Sequence, residues 1–137
     1  MWSAERGHRT GDSALRIPHS TLCSLELQER RELAQRAVRL FNEGKYWEAH
    51  EALEGIWRAV SDEQEALVLQ GLIQAAAALL HRSRGNLHGV RVVGRAALEK
   101  LSGPQRSTIE FETVKFRAEL ETALAGDGAP ALELRMT

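Results

Sequence analysis

From about residue 24 onward, apolar residues recur three and four positions apart in successive stretches, separated by short polar or glycine-bearing breaks. That spacing is one face of an α-helix. It predicts helices over 24–43, 45–60, 62–84 and 87–102, and a fifth opening at Ser107 and running to about 125. Leu33, Ala37, Leu40 and Phe41 share a face of the first, with Glu29, Arg30, Arg36 and Arg39 covering the others. Gly44 then stands where a helix end needs a residue that tolerates a left-handed conformation. Tyr46, Ala49, Leu53, Ile56 and Val60 form the apolar stripe of the second helix. Ser61 with Gln64 reads as a capping box for the third, whose Leu69, Leu72, Ile73, Leu79 and alanine run 75–78 make it the most buried. Gly85 stops it, and Asn86 is the N-cap of the fourth, with Leu87, Val90, Gly94, Ala97, Leu98 and Leu101 inward and His88, Arg91 and Arg95 outward. Ser107 with Glu110 would cap the fifth, which turns Ile109, Phe116, Leu120 and Ala123 inward.

The expected fold is therefore all-α, a single compact bundle of about five helices. Gly44-x-Tyr46-x-x-Ala49 and Gly85-x-Leu87-x-x-Val90 occupy the same place in two successive helix pairs. This echo looks like a divergent tetratricopeptide-type repeat, packed as antiparallel pairs and not as an open solenoid. Residues 1–23, rich in Gly, Ser, Arg and His with Pro18 and no periodicity, read as a flexible N-terminal arm. The helical domain is placed at 24–125, and 126–137 as a C-terminal tail introduced by Gly126, Gly128 and Pro130.

Composition narrows the class without naming a function. A chain of 137 residues, 43% hydrophobic and 27% charged, suits one soluble domain. The longest apolar stretch, 66–80, carries Gln70 and Gln74, so it reads as a buried helix and not a membrane span. Charged residues interrupt residues 1–23 too often for a signal peptide, and Cys23, the single cysteine, can form no internal disulfide. The expected compartment is the cytoplasm. Net charge of −1 gives no general drive toward nucleic acid. The distribution is less even: seven acids against Lys45 and Arg58 over 43–65, six bases against Glu99 over 82–106. Complementary helix faces are the ordinary meaning of such halves.

The unusual chemistry lies beside the stripe of the second helix. Trp47, His50, Glu54 and Trp57 fall on one side of it, with Glu51 next to His50. On the third helix Gln70, Gln74 and His81 fall within a narrow angular range. Antiparallel neighbours would bring these lines together, with Asn86 at the following turn.

These same residues carry a resemblance. Phe41-Asn42-x-Gly44-x-Tyr46-Trp47-Glu48-Ala49-His50-Glu51-x-Leu53-Glu54-x-x-Trp57, then Leu69-Gln70-Gly71-Leu72-Ile73-Gln74-x-Ala76-Ala77 and His81-x-x-x-Gly85-Asn86, resemble the small prokaryotic family named domain of unknown function 309. The resemblance spans roughly Leu40–Leu101. Gly89-Val90 departs from the Gly-Ala that members tend to carry there. The resemblance implies an all-α domain and, as the family's name records, no particular activity.

Two readings of the site follow. In the first, His50, Glu54, Gln70 and Gln74 form a structural hydrogen-bonded network, and the domain is a non-enzymatic interaction module for a protein, a peptide or a second copy of the chain. Trp47 and Trp57 would then be edge-of-core packing, His81 a residue suited to the carbonyl end of its helix, and Asn86 a cap. In the second, His50, Glu54 and His81 build a small-molecule or divalent-metal site, with hydrolase-like chemistry open to it. The His-Glu-x-x-His arrangement of zinc peptidases is absent, because Glu54 stands at the place of its second histidine. No cofactor is called for by the first reading. Nucleic-acid binding by His88, Arg91 and Arg95 lacks the interleaved aromatics that single strands stack on.

Overall fold

A computed structural model describes residues 19–102, 110–126 and 132–137, of which 19–26 enter only as helix backbone. The proposed arm up to residue 18, the Ser107 cap, Ile109, Gly128 and Pro130 lie outside the described residues. The architecture is all-α: α1 (His19–Asn42), α2 (Tyr46–Ala59), α3 (Glu63–Ser83), α4 (Leu87–Leu101) and α5 (Val114–Ala125). Two short strands, β1 (Phe111–Glu112) and β2 (Arg135–Met136), flank α5 in the chain and pair with each other. Helices that follow one another across a tight turn pack antiparallel, α1 on α2 and α3 on α4.

Four of the five expected helices fall where the periodicity puts them, because each has a clear stop. Gly44 and Gly85 both have positive φ, 81° and 73°. Nothing lies within 4 Å of where a Cβ would stand at either, so backbone conformation alone selects glycine there. The equal placement of these two turns in successive helix pairs agrees with the echo seen in the sequence. The cap of α3 sits one residue later than the capping box suggested: Asp62, not Ser61, accepts the Glu65 amide at 2.9 Å. At α1 the helix begins at His19, so the residues before the expected Ser24 cap continue it.

The core is the convergence of the predicted stripes. Phe41, Leu53, Ile56, Leu69, Leu72, Ile73, Leu101 and Phe116 are all at most 2% exposed. The alanines 75–78 let α2 and α4 approach α3 from two sides. Leu87, expected inward, is 64% exposed because it begins α4 at the surface.

The third layer departs from expectation. Residues 111–113 do not continue a helix: Phe111 and Thr113 are buried and Glu112 between them is half-buried, the period-two pattern of a strand. Phe111 pairs with Met136 and Glu112 with Arg135, antiparallel. The Glu112 carboxylate then accepts the Lys115 amide at 2.8 Å and so opens α5. The last segment, expected to be an unstructured tail, packs back at 132–137 with Leu134 fully buried. Asn42 holds it by acting as a peptide group: its Nδ2 donates to the Leu134 carbonyl and its Oδ1 accepts the Leu134 amide, both at 2.9 Å. Arg82 closes the end of α5 by donating to the Ala123 and Gly126 carbonyls at 2.6 and 3.0 Å.

One ion cluster ties this layer to the first helix. Arg30, expected on an outer face of α1, donates from Nη2 to Glu65 at 2.8 Å and to Glu110 at 2.9 Å. The three side chains are 11%, 12% and 3% exposed. Burial alone would lower the Arg30 pKa, but the Glu65 hydrogen bond and the Glu110 and Glu65 charges outweigh it, and the pKa stands above its usual value.

Candidate functional site

The site forms where the start of α2, the end of α3 and the start of α4 meet around a cavity of about 430 Å³. α2 contributes Trp47 and His50, which lie one turn apart and therefore on one face. Their rings stack at 5.1 Å between centroids with 13° between planes. His50 is 5% exposed and Trp47 50%, so the indole is the outer leaf of the pair. α3 supplies Ala77, Leu80 and His81. The turn supplies Arg84 and Asn86, both exposed, and α4 supplies His88, Gly89, Val92 and Val93.

The chemistry of this cavity follows from its hydrogen bonds. Asn86 Oδ1 accepts the Gly89 amide at 3.0 Å, as an N-cap does. Its Nδ2 is therefore the donor toward His81 Nδ1, 3.1 Å away. That makes Nδ1 an acceptor and places the ring proton of neutral His81 on Nε2. Gly89 is what allows the imidazole there: a Cβ at this position would stand 2.6 Å from the His81 ring. His81 thus packs on the N-terminal turn of the next helix and does not fold back on carbonyls of its own.

His50 Nε2 lies 3.8 Å from Glu54 Oε2, and the other oxygen of Glu54 accepts from Arg58 at 3.0 Å. Burial lowers the His50 pKa below its usual 6.5; Glu54 and Glu51 oppose this and Arg58 adds to it. The folded protein therefore holds this ring neutral more strongly than the unfolded chain does. Stability from this group is complete above pH 6.5 and declines as pH falls through the lowered folded value, below which it declines no further. Melting temperature measured from pH 7.5 downward is expected to fall more steeply for the wild type than for His50→Gln, which has nothing to titrate there. His81, Arg84 and His88 line the same cavity and remain in both proteins, so the difference between the two curves isolates His50.

The structure gathers Trp47, His50, His81 and Asn86 around one cavity, and Glu54 reaches it only through His50. Glu51 is exposed on α2 and lies outside the described lining. Trp57, expected at the rim, is 3% exposed within the core. Gln70 and Gln74 are half-buried on α3 and do not line the cavity; Gln74 Oε1 has no hydrogen-bond partner among the described residues. For Gln70 the reason is distance along the helix. Angular position puts Gln70 beside His81, but eleven residues at 1.5 Å each separate them by roughly 16 Å. Trp47 and Trp57 are about 15 Å apart by the same measure. Among the described residues no group of three or more His, Cys, Asp or Glu side chains is placed to hold a metal ion.

The sequence did not single out Arg84, Leu80, Val92 or Val93 for the site; His88, expected on an outer face of α4, is exposed there and also borders the cavity. Gly89 was the available signal, a residue without a side chain one turn into a helix that opens next to a histidine. Among the described residues no helix is long and apolar enough to cross a membrane.

Residues 34–93 match the family model described as Domain of unknown function (DUF309). The match starts within α1 and ends within α4, so it takes in all three elements that build the cavity. An uncharacterized protein of Aquifex aeolicus (strain VF5) is 35% identical over 81 residues, which is 58% of this chain and 24% of that protein. This chain thus spans about a quarter of the length of that relative.

Proposed function

With residues 34–93 matching that family as the premise, we propose that the domain is a non-enzymatic binding module whose ligand enters the cavity between α2, α3 and α4. The observation that carries this reading is the make-up of the cavity. Aliphatic Ala77, Leu80, Val92 and Val93 face a stacked indole–imidazole pair across about 430 Å³. That is the size and character of sites that take small organic molecules, ~300–1,000 Å³ and mostly apolar. The described lining offers no hydroxyl, thiol, amine or carboxylate. Its imidazoles could move a proton, and Glu54 stands 3.8 Å from His50 Nε2, but the described lining gives them no nucleophile to activate. Occurrence of a similar unit within a much longer relative also suits a module.

The neutral fluorophore N-phenyl-1-naphthylamine tests the reading. It is expected to bind wild-type protein saturably at one equivalent per chain. Val93→Trp, which fills the cavity, and Val92→Trp, at a position already 55% exposed, should each weaken binding about tenfold or more while circular dichroism stays unchanged. Binding that is non-saturable, or indifferent to both substitutions, would remove the cavity from the account.

A further inference from the structure

Resting on the binding reading above, a further question is what distinguishes one end of the ligand from the other. The cavity walls are not uniform. Ala77 and Gly89 are buried and Leu80 and Val93 half-buried, whereas Arg84, Asn86 and His88 are exposed. The buried and half-buried part of the lining is thus apolar apart from the imidazoles of His50 and His81, and the mouth carries Arg84, Asn86 and His88 together with the exposed Trp47 and Val92. Arg82 and Arg84 stand two residues apart with different employment. Arg82 spends its guanidinium on the Ala123 and Gly126 carbonyls. Arg84 makes no ion pair or side-chain hydrogen bond among the described residues, yet it borders the cavity. No carboxylate accompanies it in the described lining. His81 adds a ring whose Nδ1 is occupied by Asn86, leaving Nε2–H as its donor. Arg91 and Arg95 are exposed further along α4 and the acids Glu48 and Glu51 on α2, so the positive charge bordering the cavity itself is that of Arg84.

We propose that the cavity takes a small amphipathic acid, its aliphatic or aromatic body against Leu80 and Val93 and its anionic head at the mouth with Arg84 and His88. A carboxylate, sulfonate or phosphate head meets a guanidinium with charge-assisted hydrogen bonds, bidentate where the geometry allows. A cationic ligand could stack on Trp47, but the described lining holds Arg84 and no carboxylate to receive its charge. A neutral ligand would leave the basic mouth without a purpose in recognition.

The test is displacement of bound N-phenyl-1-naphthylamine by octanoate and by octan-1-ol, which share a chain and differ in the charge of the head. In the wild type octanoate is expected to displace the probe at about tenfold lower concentration than octan-1-ol, and the advantage should shrink in half-molar salt. In Arg84→Gln that advantage should disappear while affinity for the neutral probe itself stays within about twofold. Since Arg84 is exposed, this variant is not expected to disturb folding, and probe binding confirms that it has not. If the alcohol competes as well as octanoate in the wild type while the probe still saturates, the acidic-ligand proposal is overturned and the binding module stands. If octanoate keeps its advantage in both Arg84→Gln and His88→Gln, the head is not at this mouth and the proposal is likewise overturned. If the probe itself does not bind, the fault lies with the cavity reading on which this one rests.

Discussion

Replacing Arg30 with Met is expected to lower the unfolding free energy by about 3–5 kcal/mol, the cost of removing one partner from a buried ion cluster. The substitution keeps most of the side chain's volume and removes only the guanidinium. Glu65 and Glu110 are then left at 12% and 3% exposure, with the cation that both share through a single nitrogen gone. Urea unfolding checks the magnitude. The combined variant Arg30→Met, Glu65→Gln, Glu110→Gln separates stranded charge from lost packing. It should recover most of the loss, because neutral amides carry far less desolvation cost than carboxylates. A single substitution costing under about 1 kcal/mol would mean that water reaches Glu110.

Phe116→Ala is expected to cost about 3–5 kcal/mol, and Phe116→Leu nearer 1 kcal/mol. The ring is fully buried and meets Phe41 edge-on, 5.5 Å between centroids at 67°. Phe41 in turn meets Tyr46 edge-on at 5.3 Å and 75°. These contacts join α5 to the end of α1 and the start of α2, so a void at Phe116 is not easily closed by movement of one helix. Denaturant titration of both variants gives the two costs. Equal costs for Ala and Leu would show that ring geometry, and not lost volume, controls the site.

How much of this was legible in the sequence differs by element. α2, α3 and α4 were, because their apolar periodicity is unbroken and Gly44, Gly85 and Asn86 mark their ends with residues that few other roles explain. β1 and β2 were not, although Leu132, Leu134 and Met136 alternate with Glu133 and Arg135. Alternation that short needs a partner to count, and the partner lay within an expected helix. Arg30 was misplaced for a related reason: periodicity sorts residues by face, and the side that carries Arg30 is covered by Glu110 from a distant part of the chain. Of the residues the angular reading grouped, Trp47, His50 and His81 border one cavity, with Asn86 from the turn, whereas Trp57, Gln70 and Gln74 do not line it; for Trp57 and Gln70 this is because an angle carries no information about position along the axis. Arg84 and His88 needed knowledge of how α4 crosses the end of α3, which no spacing within either helix contains.

The Arg30–Glu110 and Asn42–Leu134 links join residues 80 and 92 positions apart, whereas the helix pairs meet across turns of a few residues. Short loops close at little entropic cost and long ones at more, so the pairs are expected to assemble early and these two links late. Bonds formed after the rate-limiting step leave the speed of folding almost untouched and slow its reversal. What Arg30 and Asn42 govern is therefore how long the domain stays folded once it has folded, and with that its resistance to heat and proteolysis over time.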